Sequence, residues 1–380
     1  MPKGAAPKAA LISLFLPKLA AGGAERVLIA ISEEITKRGY RCDLVTAAAG
    51  GRWDQRVPSG VRHIVLGYSK PLHAVPGLAR YLRRERPAAL LSSVFAANVA
   101  ALLACELSGT GVRCVLREAY RAEEDAKTTS MATRLANQFA IGHLYRRAAA
   151  IIALSEGLGR HIHQVAGIDE KRLFVIPNPS LPGTQKVVES PPVRDPQLLV
   201  ACGRLEPQKD FATLLRAVAI IRQHHAYRLV VLGEGSEMSM LRNLAAELDI
   251  ENAVDFQGYS ASPEAWMQRA TVFVSTSRIE GFPNVLLEAL DNGCRIVSTN
   301  SSDAVGEILD SGRLGAIVPV GNPSAVAAAI ISAFASPSAP HVPYQRYDLQ
   351  RIVDRYLEVL MHPDRPLTSH VNSAGGSFGP

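Results

Sequence analysis

The chain has 380 residues, of which 47% are hydrophobic and 20% are charged. This is the composition of an ordinary globular protein, and it excludes a disordered or fibrous chain, while the length suits two or three domains. The net charge of +6 is uneven, because residues 1–190 hold 26 Lys and Arg against 15 Asp and Glu, and the remainder holds 15 against 20. The basic N-terminal half favours an anionic partner, such as a membrane surface, a lipid-linked phosphate or a nucleic acid.

The N-terminal half alternates apolar runs with segments of helical periodicity. KAALISLFLP predicts the first strand; the run loosely imitates a signal peptide, but Pro17 and Lys18 interrupt it before any cleavage site. After the turn GGAE, the segment ERVLIAISEEITKRG has apolar residues at helical spacing and ends at Gly39, a typical helix stop. Further strands are predicted in YRCDLVTA, VRHIVL, AALLSSV, CVLRE and AAAIIALS.

Residues 88–105 have the length of a membrane span. The segment is rich in alanine and carries Ser92, Ser93 and Asn98, which makes it more polar than a typical span. We therefore predict a buried strand over 88–94 followed by a helix.

A proline-rich stretch at 176–197, with six prolines and no periodicity, has the composition of a linker. The alternation then begins again, with strands in LLVACGRL, YRLVVLGEG, AVDFQGY, ATVFVSTS and CRIVST, and helices in DFATLLRAVAIIRQH, MSMLRNLAAELDI and PNVLLEALDNG. Strands separated by helices predict parallel pairing, so the expected fold class is α/β with two doubly wound, Rossmann-like domains. The expected boundaries are 1–178, a linker at 179–197, 198–347, a closing helix at 348–362 and a disordered tail at 363–380.

Five cysteines are scattered along the chain, and none has the spacing of a metal-ligand pair: Cys42, Cys105, Cys114, Cys202 and Cys294. This pattern suggests neither a disulfide framework nor a zinc site. Because each lies in or beside an apolar run, we expect buried thiols in a reducing, cytoplasmic compartment.

The sharpest chemical signal is SRIEGFPNVLLEALDNG at 277–293. Glu280 lies in the loop after a predicted strand, and a helix beginning at Pro283 presents free backbone N–H groups to an anion. Glu280 and Glu288 can face one crevice, where carboxylates accept hydrogen bonds from sugar and ribose hydroxyls. Taken alone, this spacing is more typical of an acidic first turn and a solvated helical glutamate.

Neighbouring motifs favour the functional interpretation. GRLEPQKDF at 203–211 follows a strand and places Arg204 and Lys209 before a helix, where their charges suit a diphosphate. The glycine turn GGAE at 22–25 allows the backbone to approach a phosphate, whereas GEG at 233–235 is weak evidence by itself. Since parallel sheets bind ligands outside the carboxyl ends of their strands, we expect the site in a cleft between the two sheets.

Taken in order, the segments GGAERV, YRRAAAIIALSEGL, IPNP, GRLEPQKDF, GEG, EGFPNVLLEAL and GAIVPVGN resemble the family-4 retaining glycosyltransferases of the two-domain GT-B fold. The resemblance covers roughly residues 10–335. It implies a nucleotide-sugar donor, usually a uridine diphosphate (UDP) sugar, held mainly by the C-terminal domain, and an acceptor on the N-terminal side. It also implies retention of anomeric configuration with no metal or other cofactor, and the chain contains no DxD triplet.

The resemblance also implies roles for individual residues. Arg204 and Lys209 would neutralise the leaving diphosphate, Glu280 would contact the donor sugar, and Glu288 would accept from the ribose hydroxyls. The implied reaction is a front-face displacement in which the leaving phosphate takes the acceptor proton. The other implied donor-binding positions form a phosphate cradle (Gly22, Gly23, Gly203, Gly281, Phe282, Pro283, Asn284, Val285) and a segment flanking the nucleobase (Gly258, Tyr259).

Two segments depart from the family pattern. Many relatives have a histidine after the strand corresponding to CVLREAY, whereas this chain has Arg117, Glu118 and Tyr120, to which no role is assigned. Many relatives also have a GP-x-E turn where this chain has SSDAVGEIL, which keeps Glu307 without the Gly-Pro. The sequence therefore does not indicate which sugar is transferred.

Two arginine-rich segments, LARYLRRERP at 78–87 and HLYRRA at 143–148, fall on predicted helices of the basic half. Each is either a solvated helix face or a membrane-surface contact. Family members that build cell-surface glycans often use lipid-linked acceptors, so we expect a cell-surface glycan or lipid-linked acceptor and a cytoplasmic enzyme peripheral to the inner membrane face. No nucleic-acid-binding module is recognised, so nucleic acid is not an expected partner.

Other functions on the same scaffold stay open. A sugar-nucleotide epimerase would release an altered donor without any acceptor, and a non-catalytic sugar-nucleotide binder would be expected to lose Glu280, Arg204 or Lys209, which are all present. A phosphorylase would need a lysine for pyridoxal phosphate, which nothing marks. A dinucleotide dehydrogenase is disfavoured, because no GxGxxG follows the first strand.

Overall fold

The computed structural model describes residues 9–20, 22–120, 139–181, 193–336 and 344–361. Its strands are Leu11–Leu16 (β1), Arg41–Thr46 (β2), Val61–Val65 (β3), Ala89–Ser93 (β4), Arg113–Glu118 (β5), Ala150–Ala153 (β6), Leu173–Val175 (β7), Asp195–Cys202 (β8), Arg228–Leu232 (β9), Val254–Gly258 (β10), Ala270–Ser275 (β11), Arg295–Thr299 (β12) and Gly315–Val318 (β13). They form a seven-stranded sheet in the order β3-β2-β1-β4-β5-β6-β7 and a six-stranded sheet in the order β10-β9-β8-β11-β12-β13.

Helices connect the strands in both sheets. Those with described bounds are Gly23–Lys37 (α1), Val75–Glu85 (α2), Phe95–Ser108 (α3), Glu156–Ala166 (α4), Phe211–Arg222 (α5), Met238–Glu247 (α6), Pro263–Arg269 (α7), Asn284–Asp291 (α8), Asp303–Ile308 (α9), Pro323–Ala335 (α10) and Leu349–Met361 (α11). The pairs β1–β2, β1–β4, β8–β9 and β8–β11 are all parallel. The predicted α/β fold class, with two doubly wound parallel sheets, is confirmed.

Contacts group the chain into two compact units. The first takes its described residues from Met1–Arg117, Arg147–Ile151 and Gln350–Pro380, and the second from Glu118–Arg146 and Ile152–Leu349. The predicted boundaries follow the linker rather than contacts, and they stay predictions. Much of the predicted linker, at 182–192, and the whole predicted tail lie outside the described residues.

The central strand of the first sheet is buried on both faces. All six residues of β1 are buried, which is typical of a central parallel strand and explains its continuous apolar run. The segment 88–105 forms β4 and most of α3, with Val94 between them at a φ of 79°, so the predicted strand and helix are confirmed. In the parts of the chain that are described, no helix is long and apolar enough to cross a membrane.

The last helix belongs mainly to the first unit. It was predicted over 348–362 and is observed as α11, with an apolar face that includes Ile352, Val353 and Tyr356. Arg117, which is fully buried, donates from Nε to the Tyr356 hydroxyl (3.0 Å) and from Nη1 to the Ser93 hydroxyl (2.8 Å). Arg117 is therefore a structural residue that ties α11 to the sheet.

The second unit has a core on each face of its sheet. Alternate residues of a strand point to opposite faces, so Leu199 and Ala201 of β8 join one core and Leu198 and Val200 join the other. Helices α5, α6 and α10 cover the first face, and α8 and α9 cover the second. This arrangement leaves the loops at the carboxyl ends of the strands as the place for a site.

Candidate functional site

The loops that follow β8 and β9 are joined backbone to backbone. Leu205 N donates to Glu234 O at 2.9 Å. A Cβ on Gly233 would lie 1.8 Å from the carbonyl oxygen of Gly203, and one on Gly235 would lie 2.2 Å from that of Leu205. The glycines of GEG are thus explained by close backbone packing, which positions the GRLEPQKDF loop.

Two cations stand on this loop, ahead of α5. Arg204 is exposed, and Lys209 is half-buried next to Asp210. Asp210 caps α5, because its Oδ1 accepts from Thr213 N (3.3 Å) and its Oδ2 from the Thr213 hydroxyl (2.8 Å). Asp210 Oδ2 also lies 3.0 Å from the guanidinium of Arg278. The N-terminus of α5 is therefore occupied by its own cap, and the two cationic side chains are the groups left for an anion.

Glu280 is the most constrained carboxylate of the predicted site. It is 9% exposed, and its Oε1 accepts from Lys209 Nζ and from the Ser277 hydroxyl, the latter at 2.6 Å. Its own N–H donates to Ser301 O at 3.1 Å. No described residue donates to the second oxygen, Oε2. The carboxylate is thus fixed in orientation and paired with a cation, with one oxygen left to accept from a ligand.

Backbone hydrogen bonds hold the Glu280 loop against the Lys209 loop. Arg278 N donates to Gln208 O at 2.8 Å, and Gln208 Nε2 donates to Ile279 O at 2.8 Å. The two motifs that the sequence placed in one site are therefore in direct contact.

The start of α8 is one residue later than expected. The helix was predicted to begin at Pro283, which instead occupies the N-cap, and the first helical residue is Asn284. Asn284 N donates to Phe282 O at 2.9 Å, so this N–H of the predicted phosphate cradle is used within the loop. Phe282 and Val285 pack against one core of the second sheet, so their side chains are structural.

A cavity lies beside Glu280, with a volume of about 200 Å³. Its lining is mostly polar and consists of Ala119, Tyr120, Ser155, Leu158, Glu280, Gly281, Asn300, Ser301, Ser302 and Asp303. Ser301 is 7% exposed, and no described residue forms a hydrogen bond with its hydroxyl or with that of Ser302. Because buried polar groups are normally paired, these hydroxyls suit a polar ligand.

Glu288 does not belong to this lining. It lies in the second turn of α8, half-buried, three residues before Asp291. Burial, and then the charge of Glu288, raise the pKa of Asp291 to about 7. The structure thus places Glu280 in the cavity without Glu288, and the ribose role of Glu288 stays a prediction.

Glu307, which the sequence keeps from the family pattern, caps a helix. Its Oε1 accepts from Glu156 N (2.8 Å) and Gly157 N (3.3 Å) at the start of α4. Burial is the main cause of a raised pKa for Glu307. A Cβ on Gly157 would lie 2.1 Å from Asp303 Oδ2, so Gly157 makes room for the Asp303 side chain.

The segment after β5 also divides into structural and cavity residues. Glu118 accepts a hydrogen bond from the Tyr145 hydroxyl, whereas Tyr120 lines the cavity. A Cβ on Gly281 would lie 2.1 Å from Ala119 O, so this glycine lets the two loops meet at the cavity wall.

The remaining predicted positions lie elsewhere. Gly258 ends β10 with a φ of 71°, and Tyr259 after it is 49% exposed. Their part in flanking the nucleobase stays a prediction. Gly22 and Gly23 lie at the start of α1 in the first unit, and their share in the donor site stays a prediction. No group of three or more His, Cys, Asp or Glu among the described residues is arranged to hold a metal ion.

Several residues of the site were missed from the sequence. Ser301 and Asp303 line the cavity, and Ser277 donates to Glu280. A signal for them exists in the printed sequence, because STS at 275–277 and STNSSD at 298–303 directly follow or end neighbouring strands β11 and β12. Hydroxyl-rich runs at the carboxyl ends of adjacent parallel strands meet at one sheet edge.

Two family models match the chain in succession. "Glycosyltransferase Family 4" matches residues 21–179, and "Glycosyl transferases group 1" matches residues 184–347.

Curated relatives are enzymes of glycan assembly by name. The chain is 32% identical over 190 residues to the N-acetylgalactosamine-N,N'-diacetylbacillosaminyl-diphospho-undecaprenol 4-alpha-N-acetylgalactosaminyltransferase of Campylobacter jejuni, covering 50% of this chain and 51% of that protein. It is 29% identical over 177 residues to the lipopolysaccharide 1,6-galactosyltransferase of Salmonella typhimurium, covering 45% and 48%. The chain thus spans about half the length of these relatives.

Solved structures share the fold over nearly the whole chain. HepE of Anabaena, in complex with UDP and glucose, aligns with a TM-score of 0.73 at 20% identity, over 92% of this chain and 99% of that one. A glycosyltransferase of Rickettsia africae aligns with a TM-score of 0.76 at 15% identity, over 93% and 98%.

Proposed function

Because the chain belongs to the group 1 glycosyl transferases and has their GT-B fold, we propose that it transfers a hexosyl or N-acetylhexosaminyl group from a UDP sugar to a cell-surface glycan or lipid-linked acceptor. The observation that carries the proposal is the fixed Glu280 carboxylate, held by Lys209 and Ser277 at the edge of a polar cavity. Cavity and cation stand at the carboxyl ends of parallel strands, where such folds bind nucleotides.

In this proposal the diphosphate lies on the GRLEPQKDF loop. Arg204 is exposed and offers a fork of donors, while Lys209 offers a point charge that is half-buried. Lys209 already contacts Glu280, so a diphosphate bound to it would lie next to the cavity. The two cations then stabilise the charge that develops on the leaving group.

The donor sugar takes the cavity. Glu280 Oε2 accepts from a sugar hydroxyl while Oε1 stays with Lys209 and Ser277. The Ser301 hydroxyl, which no described residue engages, gives a second polar contact. Glu288 and Tyr259 are proposed to hold the ribose and the base.

We propose a front-face reaction that retains the anomeric configuration and needs no metal. The bond between the anomeric carbon and the phosphate oxygen breaks, a bond to the acceptor oxygen forms on the same face, and the acceptor proton passes to the leaving phosphate. A lysine and a serine hold the oxygen Oε1 of Glu280 and fix the orientation of its carboxylate. Its part is to bind and orient the sugar.

The acceptor and the membrane are proposed on the basis of the relatives' names and the basic first unit. On α2, Arg83 donates to Ser108 O at 3.2 Å and Arg84 to Glu85 at 2.9 Å, so these two arginines are partly used within the unit. Arg80 and Lys70 are exposed, and Leu72 beside them is 51% exposed. We propose this edge as the surface that meets an anionic membrane at its cytoplasmic face.

The experiment that tests the proposal is calorimetric titration of the full chain with UDP, GDP, UDP sugars, GDP sugars and NADH, each with and without EDTA. We expect UDP and UDP sugars to bind equally well with EDTA, and Arg204→Ala to weaken UDP binding by about tenfold or more. Arg313→Ala is the matched control, because Arg313 is exposed on the same unit and pairs with Asp310.

Binding of NADH alone, or of no nucleotide, would overturn the proposed donor. If a nucleotide sugar binds, its transfer is measured with the radiolabelled nucleotide sugar and a lipid-linked diphosphate acceptor. Release of an altered UDP sugar without an acceptor would instead support an epimerase.

A further inference from the structure

Two buried threonine hydroxyls lie at the carboxyl ends of neighbouring strands, next to the loops that carry Lys209 and Glu280. Thr276 directly follows β11 and is 3% exposed, and Thr299 is the last residue of β12 and is fully buried. A threonine hydroxyl has a single proton to donate. Both side chains donate that proton to main-chain carbonyl oxygens, so they act on the course of the backbone.

Thr276 holds the main chain that carries Lys209. Its Oγ1 donates to Lys209 O at 3.3 Å and to Asp210 O at 3.0 Å, so one proton is shared between two successive carbonyls. Asp210 has a φ of 49°, a left-handed conformation that a residue other than glycine adopts at a cost in free energy. The surrounding contacts therefore have to maintain this turn, and the turn sets the direction in which the Lys209 side chain leaves the loop.

Thr299 holds the main chain on the other side of the ion pair. Its Oγ1 donates to Ser277 O at 2.6 Å, with Ser275 O more distant at 3.5 Å. The Ser277 hydroxyl in turn donates at 2.6 Å to Glu280 Oε1, the oxygen that also accepts from Lys209 Nζ. The two threonines thus reach the two members of one ion pair by separate routes.

A third threonine on the same strand shows what a purely structural hydroxyl of this kind looks like. Thr271, the second residue of β11, is 8% exposed, and its Oγ1 donates to Asp195 O at 2.7 Å. It has the same residue type, similar burial and the same kind of acceptor as Thr276. It lies near the start of the strand, however, whereas the ion pair lies beyond the strand's carboxyl end.

We infer that Thr276 and Thr299 are positioning residues of the proposed transferase, Thr276 for Lys209 and Thr299 for Glu280. Loss of either hydroxyl releases a main-chain segment, and a displacement of about 1 Å at a reacting group can lower the rate by as much as about 10². The inference rests on the proposed function, because it takes Lys209 as a group that binds the donor diphosphate and Glu280 as the group that orients the sugar.

The two threonines should therefore affect different kinetic quantities. Thr276→Val keeps the side-chain shape without the hydroxyl, and we expect it to weaken UDP binding about tenfold, as a milder form of Lys209→Ala. Thr299→Val should keep the UDP affinity within about threefold of the wild type and lower kcat about tenfold, as a milder form of Glu280→Gln.

Both quantities are measured on the full chain. Calorimetric titration gives the affinity for UDP, and release of UDP from UDP-glucose, UDP-galactose or UDP-N-acetylgalactosamine gives kcat, with a lipid-linked acceptor or with water in its place. GDP and GDP-mannose are tested in parallel, so that the variants are compared with the nucleotide that the wild type binds.

Thr271→Val is the matched control and should keep both the UDP affinity and kcat within about twofold of the wild type. Thr276→Ser and Thr299→Ser keep the hydroxyl, so each should restore most of the affinity or of the rate. Thermal denaturation of every variant reports the accompanying loss of stability. A merely structural role would lower the denaturation midpoint without the two different kinetic effects.

A double-mutant cycle tests whether Thr276 acts through Lys209. In a Lys209→Ala background, Thr276→Val should change the UDP affinity by less than about twofold, because the side chain that it positions is gone. The same tenfold loss in both backgrounds would show that the effect of Thr276 is independent of Lys209, and it would overturn this role.

The possible failures can be told apart. If the wild type binds and turns over a nucleotide sugar, but Thr276→Val and Thr299→Val behave like Thr271→Val or like each other, the inference is overturned and the proposed function stands. If the wild type binds neither UDP nor GDP, or releases neither from its sugar conjugates, the proposed function falls and the inference falls with it.

Discussion

Two buried polar clusters, one in each unit, differ in how completely their groups are hydrogen-bonded. In the first unit, Asp43 is 2% exposed, and its carboxylate accepts from Arg62 Nε (2.9 Å) and from the Tyr81 hydroxyl (2.6 Å). The Tyr81 hydroxyl also lies 2.7 Å from that of Ser13, and Arg62 reaches Glu85 at 2.8 Å. Burial, followed by the hydrogen bond to Asp43, raises the pKa of Tyr81. Each member of this cluster has a partner within the unit.

In the second unit, the polar residues around the cavity are only partly matched. Glu280 is held through one oxygen, and the hydroxyls of Ser301 and Ser302 have no partner among the described residues. A fully hydrogen-bonded network makes a fold rigid, whereas a buried polar group beside a cavity that has no hydrogen-bond partner in the protein is suited to bind a ligand.

The largest expected effect is a loss of stability when the hydrogen-bonded cluster around Asp43 is broken. Asp43→Ala removes the carboxylate that Arg62 and Tyr81 share. The buried Tyr81 hydroxyl then loses an acceptor, whereas Arg62 is half-exposed and keeps its bond to Glu85. We expect a loss of about 3 kcal/mol in the free energy of unfolding, measured by urea denaturation. Glu33→Ala, which removes an exposed partner of Lys37, is the control and should change it by less than about 1 kcal/mol. A small effect at Asp43 would mean that the cluster is not structural.

The next largest effect is expected on catalysis, from changes to the ion pair of Lys209 and Glu280. Lys209→Ala should reduce kcat/KM by about 10²–10³ through loss of charge at the leaving group, chiefly by weakening donor binding. Glu280→Gln should instead lower kcat more than it raises KM, because the amide still fills its place but orients the sugar less well. Steady-state kinetics with a saturating acceptor measure the split. Equal kinetics for both variants and the wild type would remove this pair from the site.

Much of the fold was predictable because periodicity reports burial directly. The buried run of β1 and the helical spacing of α1 both follow from the sequence, as does the division of 88–105 into strand and helix. What the pattern does not carry is which helix joins which unit. The placement of α11 in the first unit depends on buried contacts such as Arg117–Tyr356, between residues that are far apart in the chain.

The site was predictable only where a motif is local. Glu280 and Lys209 stand out in their segments, and the structure brings them into contact. Ser301 and Asp303 were missed, because a serine after a strand has no local mark that separates it from any turn residue. Their significance comes from the cavity, which is formed by four separate segments of the chain.

A moderate effect is expected at the cavity wall. Gly281→Ala places a Cβ about where it would meet Ala119 O, at 2.1 Å, so the loops must separate. We expect a loss of about 1–3 kcal/mol in the free energy of unfolding. Relative to the wild type, the variant should also lose more affinity for UDP-glucose than for UDP. Gly306→Ala in α9 is the matched control, because a Cβ there has no neighbour within 4 Å, and it should be neutral or slightly stabilising. Equal thermal-denaturation midpoints for both variants would show that the wall is not tight.

A smaller, pH-dependent effect is expected at α8. Asp291 has a pKa of about 7 in the folded state, raised from 3.8, so between about pH 4 and 7 the folded state holds a proton that the unfolded state lacks. Stability contributed by this group is therefore present at low pH and falls as the pH rises through that window. Asp291→Asn should raise the denaturation midpoint by a few degrees at pH 8 and by less at pH 5. Glu288→Gln removes the neighbouring charge, so in that background the effect of Asp291→Asn on the midpoint should differ less between pH 8 and pH 5. If Asp291→Asn shifted the midpoint equally at both pH values, the raised pKa of Asp291 would be contradicted.

The smallest expected effect on stability is the sharpest test of the contrast between buried hydroxyls with and without a described partner. Ser301→Ala removes a buried hydroxyl without losing any hydrogen bond to a described residue. We expect the free energy of unfolding to stay within about 1 kcal/mol of the wild type or to rise, because deleting an unsatisfied polar group removes its desolvation cost. The same change at a matched hydroxyl, Thr213→Val in the cap of α5, should destabilise by about 1 kcal/mol or more. If Ser301→Ala instead lowered the free energy of unfolding more than Thr213→Val, the Ser301 hydroxyl would be a structural group. The main evidence that the cavity binds a polar ligand would then be removed.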